Sequence, residues 1–372
     1  MSVEIDITGL PPEHILFRPT PLAELCAALH ALAEPDHHPG LKTWVASTLA
    51  ALPGELAGRL HEARLMWGST FSDVFVPFAG VPARRGLPGA TLAEDLDVLD
   101  QLDDERFVAS ALEFTCAAPH DRRAPSPLTD AAERARVLEL AAARGPGQQD
   151  FTRRLLTDPP ALRAWVRRLL EDCDEAFFAD VWQRVHGELA ADARHKTELL
   201  HRKGLPAAIA EVSPALSLTG DGRRLVVDKM AVGATSALDP ATGPGITFVP
   251  SRLGWPHLLV LHAEGWRPVV TYPVAAADLP QATSVQEVQE RLEAIVHPAR
   301  IRLARFLARA PHTTGELATA TGLTAPEVSR HLAVLRKAGL VTTRRRARYA
   351  EHQLVVRPVA RLGSDFLESI LR

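Results

Sequence analysis

The chain has 372 residues, 46% of them apolar and 23% charged, with a formal net charge of −3. That balance excludes large-scale disorder, and no apolar run approaches the ~18 residues of a membrane helix. The N-terminus lacks a basic-then-apolar signal pattern, so a cytoplasmic protein with no membrane contact is expected.

In chain order, Val3, Ile5 and Ile7 alternate with polar residues as a half-buried strand would. Thr20 is expected to cap a helix with Pro21 at its first position, its apolar stripe running through Leu22, Leu25, Cys26, Leu29 and Leu32. Further helices are expected over 41–52, 55–67, 91–102, 106–116 and 128–143, with a Pro- and Gly-rich loop over 76–89. Asp158 caps Pro159-Pro160 and opens a long, once-broken helical region reaching Lys203, which Gly204-Leu205-Pro206 ends. Gly220-Asp221-Gly222 turns a hairpin, and 246–249, 258–262 and 269–272 are apolar strands.

The C-terminal part carries the clearest local signals. Thr313 with Glu316 and Thr324 with Glu327 are two capping boxes eleven residues apart. Gly322 lies between them, free to take the positive φ that ends a helix. Val328, Leu332 and Leu335 recur at helical spacing and point inward, while Ser329, Arg330, Ala333, Arg336 and Lys337 face out. Gly339 stops that helix. A hairpin follows with Arg344, Arg345, Arg346 and Arg348 at its tip. Two short capped helices followed by a cationic hairpin are a winged helix-turn-helix, whose second helix enters a DNA major groove. The DNA-contacting candidates are Thr324, Ser329, Arg330 and His331 near base edges, with Arg336, Lys337 and the four wing arginines near phosphates.

Residues 297–307, Glu316-Leu317-Ala318, Val328-Ser329-Arg330-His331-Leu332 with Leu335, and Ala338-Gly339-Leu340-Val341 together resemble the ArsR/SmtB family of bacterial repressors. The resemblance implies a homodimeric transcriptional regulator, usually a repressor released by an inducer, and the capped helix pair in a dimer predicts a palindromic operator. Metal sensors of that family place cysteines on the first motif helix or Asp and His on the last helix. Here 314–320 has neither Cys nor His, and 357–371 has Asp365 and Glu368 but no His, so a non-metal ligand is expected. Val359, Leu362, Phe366 and Ile370 on that last helix are expected to form a dimer seam. The region before the linker resembles an uncharacterised module fused to ArsR-like domains, through 17–25, Phe248-Val249-Pro250-Ser251, Trp255-Pro256, Trp266-Arg267-Pro268 and Tyr272-Pro273.

No catalytic constellation emerges, and no cofactor or metal is expected. Cys26, Cys116 and Cys173 are scattered and odd in number. The His37-His38 pair beside Asp36 reads as a surface loop, since adjacent residues rarely chelate one ion together, and His186, His195 and His201 fall on different helical faces. Six tryptophans, all before residue 285, fill cores or line an apolar inducer pocket. Residues 285–372 hold 15 Lys and Arg against 8 Asp and Glu, or +7, leaving 27 against 37, or −10, in residues 1–284. Such a chain touches nucleic acid with one domain only.

The expected fold is mainly α with a small β unit. It comprises a helical module at 1–206, a β-rich segment at 207–277, a linker at 278–284 and a winged helix-turn-helix at 285–372. The expected function is sequence-specific transcriptional repression. The alternatives are a protein-binding scaffold and an enzyme with an attached DNA-binding domain.

Overall fold

The structure is a computed structural model that describes residues 2–68, 71–82, 86–115, 125–228, 233–274, 284–346 and 349–371. It divides into two compact units, Met1–Pro280 and Gln281–Leu371. The expected linker lies outside the described residues except for Ser284.

The first unit runs β1 (Ser2–Asp6), β2 (Ile15–Phe17), α1 (Pro21–Ala33), α2 (Lys42–Ala51), α3 (Gly54–Ala63), α4 (Leu92–Leu99), α5 (Asp104–Thr115), α6 (Ala131–Ala142), α7 (Pro146–Thr157), α8 (Pro159–Cys173), α9 (Ala179–Lys203) and α10 (Leu205–Ala210). A π-helical turn at Asp174–Phe178 joins α8 to α9, which is the expected break. Six strands follow, β3 (Leu216–Leu218), β4 (Arg224–Asp228), β5 (Gly233–Ser236), β6 (Ile246–Ser251), β7 (Leu259–Leu261) and β8 (Val269–Pro273). The sequence did not announce α7, β5 or α10, whose Leu205–Ala210 span starts where the helical region is expected to end and runs into the expected β-rich segment.

The β-rich segment does not close on itself. Its strands form two sheets, ordered β3-β4-β1-β5 and β2-β6-β8-β7, and each takes one strand from the N-terminus. Val3 and Ile5 pair across to Val227 and Leu225, and Phe17 pairs with Phe248 in parallel and stacks on it at 4.9 Å between ring centroids. Segments more than 200 residues apart therefore share one core.

The central helix α1 departs from an amphipathic stripe. All residues from Pro21 to Leu32 are buried, Glu24 and His30 included. Thr20 does not cap it. The Thr20 hydroxyl instead donates to Asp95 Oδ2 (2.5 Å), and that same oxygen accepts the Leu22 N–H (3.1 Å), so a carboxylate on α4 caps α1. Asp158 does cap α8 as expected, accepting from Ala161 N–H at 3.0 Å.

The second unit comprises α11 (Val285–Val296), α12 (Pro298–Leu307), β9 (His312–Thr313), α13 (Thr314–Thr321), α14 (Ala325–Lys337), β10 (Val341–Arg346), β11 (Tyr349–Leu354) and α15 (Val356–Leu371). Leu303, Leu307, Leu317, Val328, Leu332, Leu335 and Leu340 form its core. Its sheet is ordered β10-β11-β9. The α15 helix is tied to α11 by buried Asp365, which accepts from Arg291 (3.3 Å) and Arg361 (3.1 Å).

Candidate nucleic-acid interface

Both capping boxes form. Thr313 Oγ1 accepts from Glu316 N–H (3.3 Å) while Glu316 accepts from Thr313 N–H (2.7 Å); Thr324 and Glu327 repeat this at 3.4 and 2.8 Å. These bonds hold both carboxyls below their ordinary value of 4.5, the Thr313 backbone bond leading for Glu316 and the Thr324 side-chain bond for Glu327. Gly322 ends α13 in the left-handed region at φ 71°. Each box satisfies end amides that would otherwise be orphaned, so both helix starts are fixed without long-range help.

On α14, Val328, Leu332 and Leu335 are buried, whereas Ser329, Arg330, Ala333, Arg336 and Lys337 are exposed. Thr324 is exposed at the N-cap, its hydroxyl engaged with Glu327 (2.7 Å). His331 is placed differently from its neighbours. It is half-buried against the His297 ring at 4.8 Å, and burial followed by the nearby His297 lowers its pKa.

The wing is β10 paired antiparallel with β11, with Arg344 opposite Glu351 and Arg345 opposite Ala350. Arg344 and Arg345 are exposed; Arg346 is the last residue of β10, and Arg348 lies outside the described residues. Buried His352 was not among the expected site residues. Its ring nitrogens meet Thr343 Oγ1 (2.9 Å) and Thr314 Oγ1 (3.2 Å), linking the wing to the start of α13. The clue was available, since Thr343 and His352 are cross-strand partners in the register that the hairpin length sets.

The expected seam on α15 is partly corrected. Val359 packs on its own domain's core, whereas Phe366, Leu367 and Ile370 are each more than 40% exposed. Val285 and Val356 are also exposed apolar residues of this unit.

In the first unit, the reading of His37-His38 as a surface loop is overturned. His38 is fully buried and His37 half-buried, in short turns directly after α1. His37 Nδ1 lies 3.4 Å from His30 Nε2, and His257 Nε2 lies 3.1 Å from the same atom. His38 packs edge-on to His30, at 5.2 Å between centroids, and neither of its ring nitrogens makes a well-formed hydrogen bond. Burial pulls both His30 and His38 down to about 4, the Trp67 carbonyl opposing this at His30 and the Trp255 carbonyl at His38. No local pattern gave this cluster, because His257 is 227 residues from His30. Of the other histidines considered, His195 instead pairs with Glu211 at 2.7 Å. Trp67 and Trp266 are core residues, and Trp67 also lines an open cleft of about 200 Å³ with Leu29, Leu52 and Leu60.

Residues 1–278, three quarters of the chain, match a family of unknown function (DUF5937). The chain belongs to that family. Residues 297–343 match the bacterial regulatory protein, arsR family, so this member of the DUF5937 family ends in an ArsR-type winged helix-turn-helix. A biofilm growth-associated repressor of Agrobacterium fabrum is 41% identical over 76 residues, which is 20% of this chain and 65% of that protein. The chain thus spans just under two thirds of that relative's length. The biofilm growth-associated repressor of Xylella fastidiosa strain Temecula1 is 34% identical over 76 residues, 20% of this chain and 67% of that protein. Among solved structures, a homodimeric winged helix-turn-helix DNA-binding domain from Mycobacterium bovis, a possible ArsR-family transcriptional regulator, is 28% identical. It covers 22% of this chain and 74% of its own, with a TM-score of 0.20. No helix among the described residues is long and apolar enough to cross a membrane.

Proposed function

We propose that this protein is a homodimeric, sequence-specific repressor of transcription that reads a palindromic operator through α14 and grips flanking phosphates with its wing. The observation that carries this reading is the outward face of α14. Ser329 and Arg330 are exposed in its first two turns, behind a capped N-terminus, and Arg336 and Lys337 are exposed in its last turn. Short polar groups and an arginine at the leading end suit base edges, and trailing cations suit phosphates. The half-buried His331 contributes by packing on His297 more than by reading bases. Repressors similar over this segment support the direction of control.

Homodimerisation is supported by Phe366, Leu367 and Ile370, which a free monomer would leave in water. Two copies related by a two-fold axis would present two α14 helices to half-sites about one helical turn apart. The first unit acts as a regulatory or oligomerising module with no catalytic role. An inducer binding there works only by favouring one dimer geometry over another. The small apolar cleft beside Trp67 suits a ligand of few atoms.

The test is selection of bound sequences from random duplex DNA by the full-length protein. A palindrome with half-site centres roughly 10 bp apart, or a multiple of it, is the expected result. An unenriched pool would sink the reading. A protein beginning at Ser284, which retains the whole second core, is expected to keep operator preference while losing any response to small molecules.

A further inference from the structure

We propose that the first unit holds a divalent transition-metal ion of the zinc class, ligated by His30, His37 and His257. This inference is independent of DNA binding, and it revises the expectation that any ligand is a non-metal.

The geometry is that of a ligand set. One ring nitrogen from each of the three histidines lies within 4.8 Å of the other two. His30 Nε2 stands 3.1 Å from His257 Nε2 and 3.4 Å from His37 Nδ1. Two nitrogens sharing a tetrahedral ion at about 2.0–2.1 Å are separated by about 3.3 Å. The two separations that involve His30 match this spacing, and among the described residues this is the grouping of three or more His, Cys, Asp or Glu side chains that lies so close together.

The tautomer of His30 is set for the task. Its Nδ1 faces the Trp67 carbonyl at 2.6 Å, and a carbonyl only accepts, so Nδ1 carries the proton. On the neutral ring Nε2 then offers its lone pair to the centre of the cluster. A backbone carbonyl on the far nitrogen is the usual outer-shell device that orients a ligating imidazole.

The framework is also rigid. His30 sits on α1, buried on every side, and His37 follows in the turn Pro35–His37. The loop bearing His257 is tied to the same helix through buried Glu24. That carboxylate accepts from Ser251 Oγ (2.6 Å), Arg252 N–H (3.0 Å) and Leu253 N–H (2.8 Å). Ser251 Oγ accepts in turn from Gly254 N–H (2.9 Å), and a Cβ at Gly254 would stand 2.7 Å from that oxygen. Glycine is therefore needed where the loop turns back to deliver His257, whose N–H bonds the Gly254 carbonyl at 2.7 Å.

Three imidazoles without thiolate or carboxylate suit zinc, cobalt, nickel or copper over magnesium or calcium. Three protein ligands leave a fourth position for water or an exogenous group. Phe71, 4.6 Å from the His30 ring, forms an apolar wall beside it.

The experiment uses tag-free, full-length protein stripped with chelator, then titrated calorimetrically with zinc chloride and, separately, with cobalt chloride followed by visible absorption. We expect about one zinc per chain and a tetrahedral cobalt spectrum. Loss of an outer-shell partner alone costs about 10–100-fold in affinity, so His37→Ala and His257→Ala should each weaken zinc binding by about 100-fold or more. Half-exposed His37 can be truncated with little risk to the fold, which circular dichroism would verify. Exposed His195 serves as a control, and His195→Ala should bind zinc as the parent does. Failure of the parent to bind zinc, or affinities equal to the parent's in both cluster variants, would overturn the assignment and leave a hydrogen-bonded histidine core.

Discussion

Replacing Arg344 and Arg345 together by alanine tests the wing quantitatively. Arg336, Lys337, Arg344 and Arg345 are exposed, and all four lie on α14 or the wing. If each meets one phosphate, a dimer neutralises about eight, and the logarithm of affinity falls with that of salt at a slope of about −7. Doubling salt from about 100 to about 200 mM then weakens the parent by about 150-fold. The double variant keeps about four contacts per dimer, so its slope falls to about −3.6 and the same step costs only about 12-fold. Base preference should be unchanged, because phosphate contacts carry no sequence information. Fluorescence anisotropy on one operator and one scrambled duplex, at five salt concentrations, measures both quantities. A variant that stays folded and dimeric yet keeps the parent slope would refute the placement of the wing on DNA.

Three further outcomes are expected. Arg330→Ala should relax preference at one base pair in each half-site by about 1–3 kcal/mol, whereas Lys337→Ala weakens all sequences alike; sequencing of selected pools distinguishes the two. Changing Phe366 and Ile370 together to Asp should give a monomer by sedimentation velocity and abolish operator binding, and a dimer that survives would move the seam elsewhere. The depressed carboxyls of Glu316 and Glu327 add stability above pH 4.5 that is lost as the pH falls through their lower folded values. Thermal melts of the second unit taken down to about pH 3 should therefore show a loss that Glu327→Gln reduces, and identical profiles would argue against a contribution from that box.

The winged helix was legible in the sequence because its signals are local. A Thr and a Glu three residues apart specify a helix start, a glycine of positive φ specifies its end, and apolar residues at helical spacing specify the buried face. Each device acts within about one turn of chain, so Thr313, Gly322, Thr324 and Leu332 could be assigned their roles without a partner in view. The same locality explains the misreading of α1. Leu22, Leu25 and Leu29 announce an apolar stripe, but burial of the opposite face depends on β6, α4 and the 251–257 loop, which are distant in sequence.

What the sequence determined by itself is therefore the family-like reading head, its caps, its cationic hairpin and the approximate positions of most helices. Only the tertiary structure decided that β1 and β2 complete sheets begun after residue 215, that Asp95 caps α1, and that His30, His37 and His257 converge. The physical reason is the reach of the interactions. Caps and helical periodicity are fixed by neighbours a few residues away, whereas a buried polar group takes whatever partner the packing of the whole core brings to it. Histidines 227 residues apart carry no mark of their meeting until β6 and β7, on either side of His257, are both paired to β8.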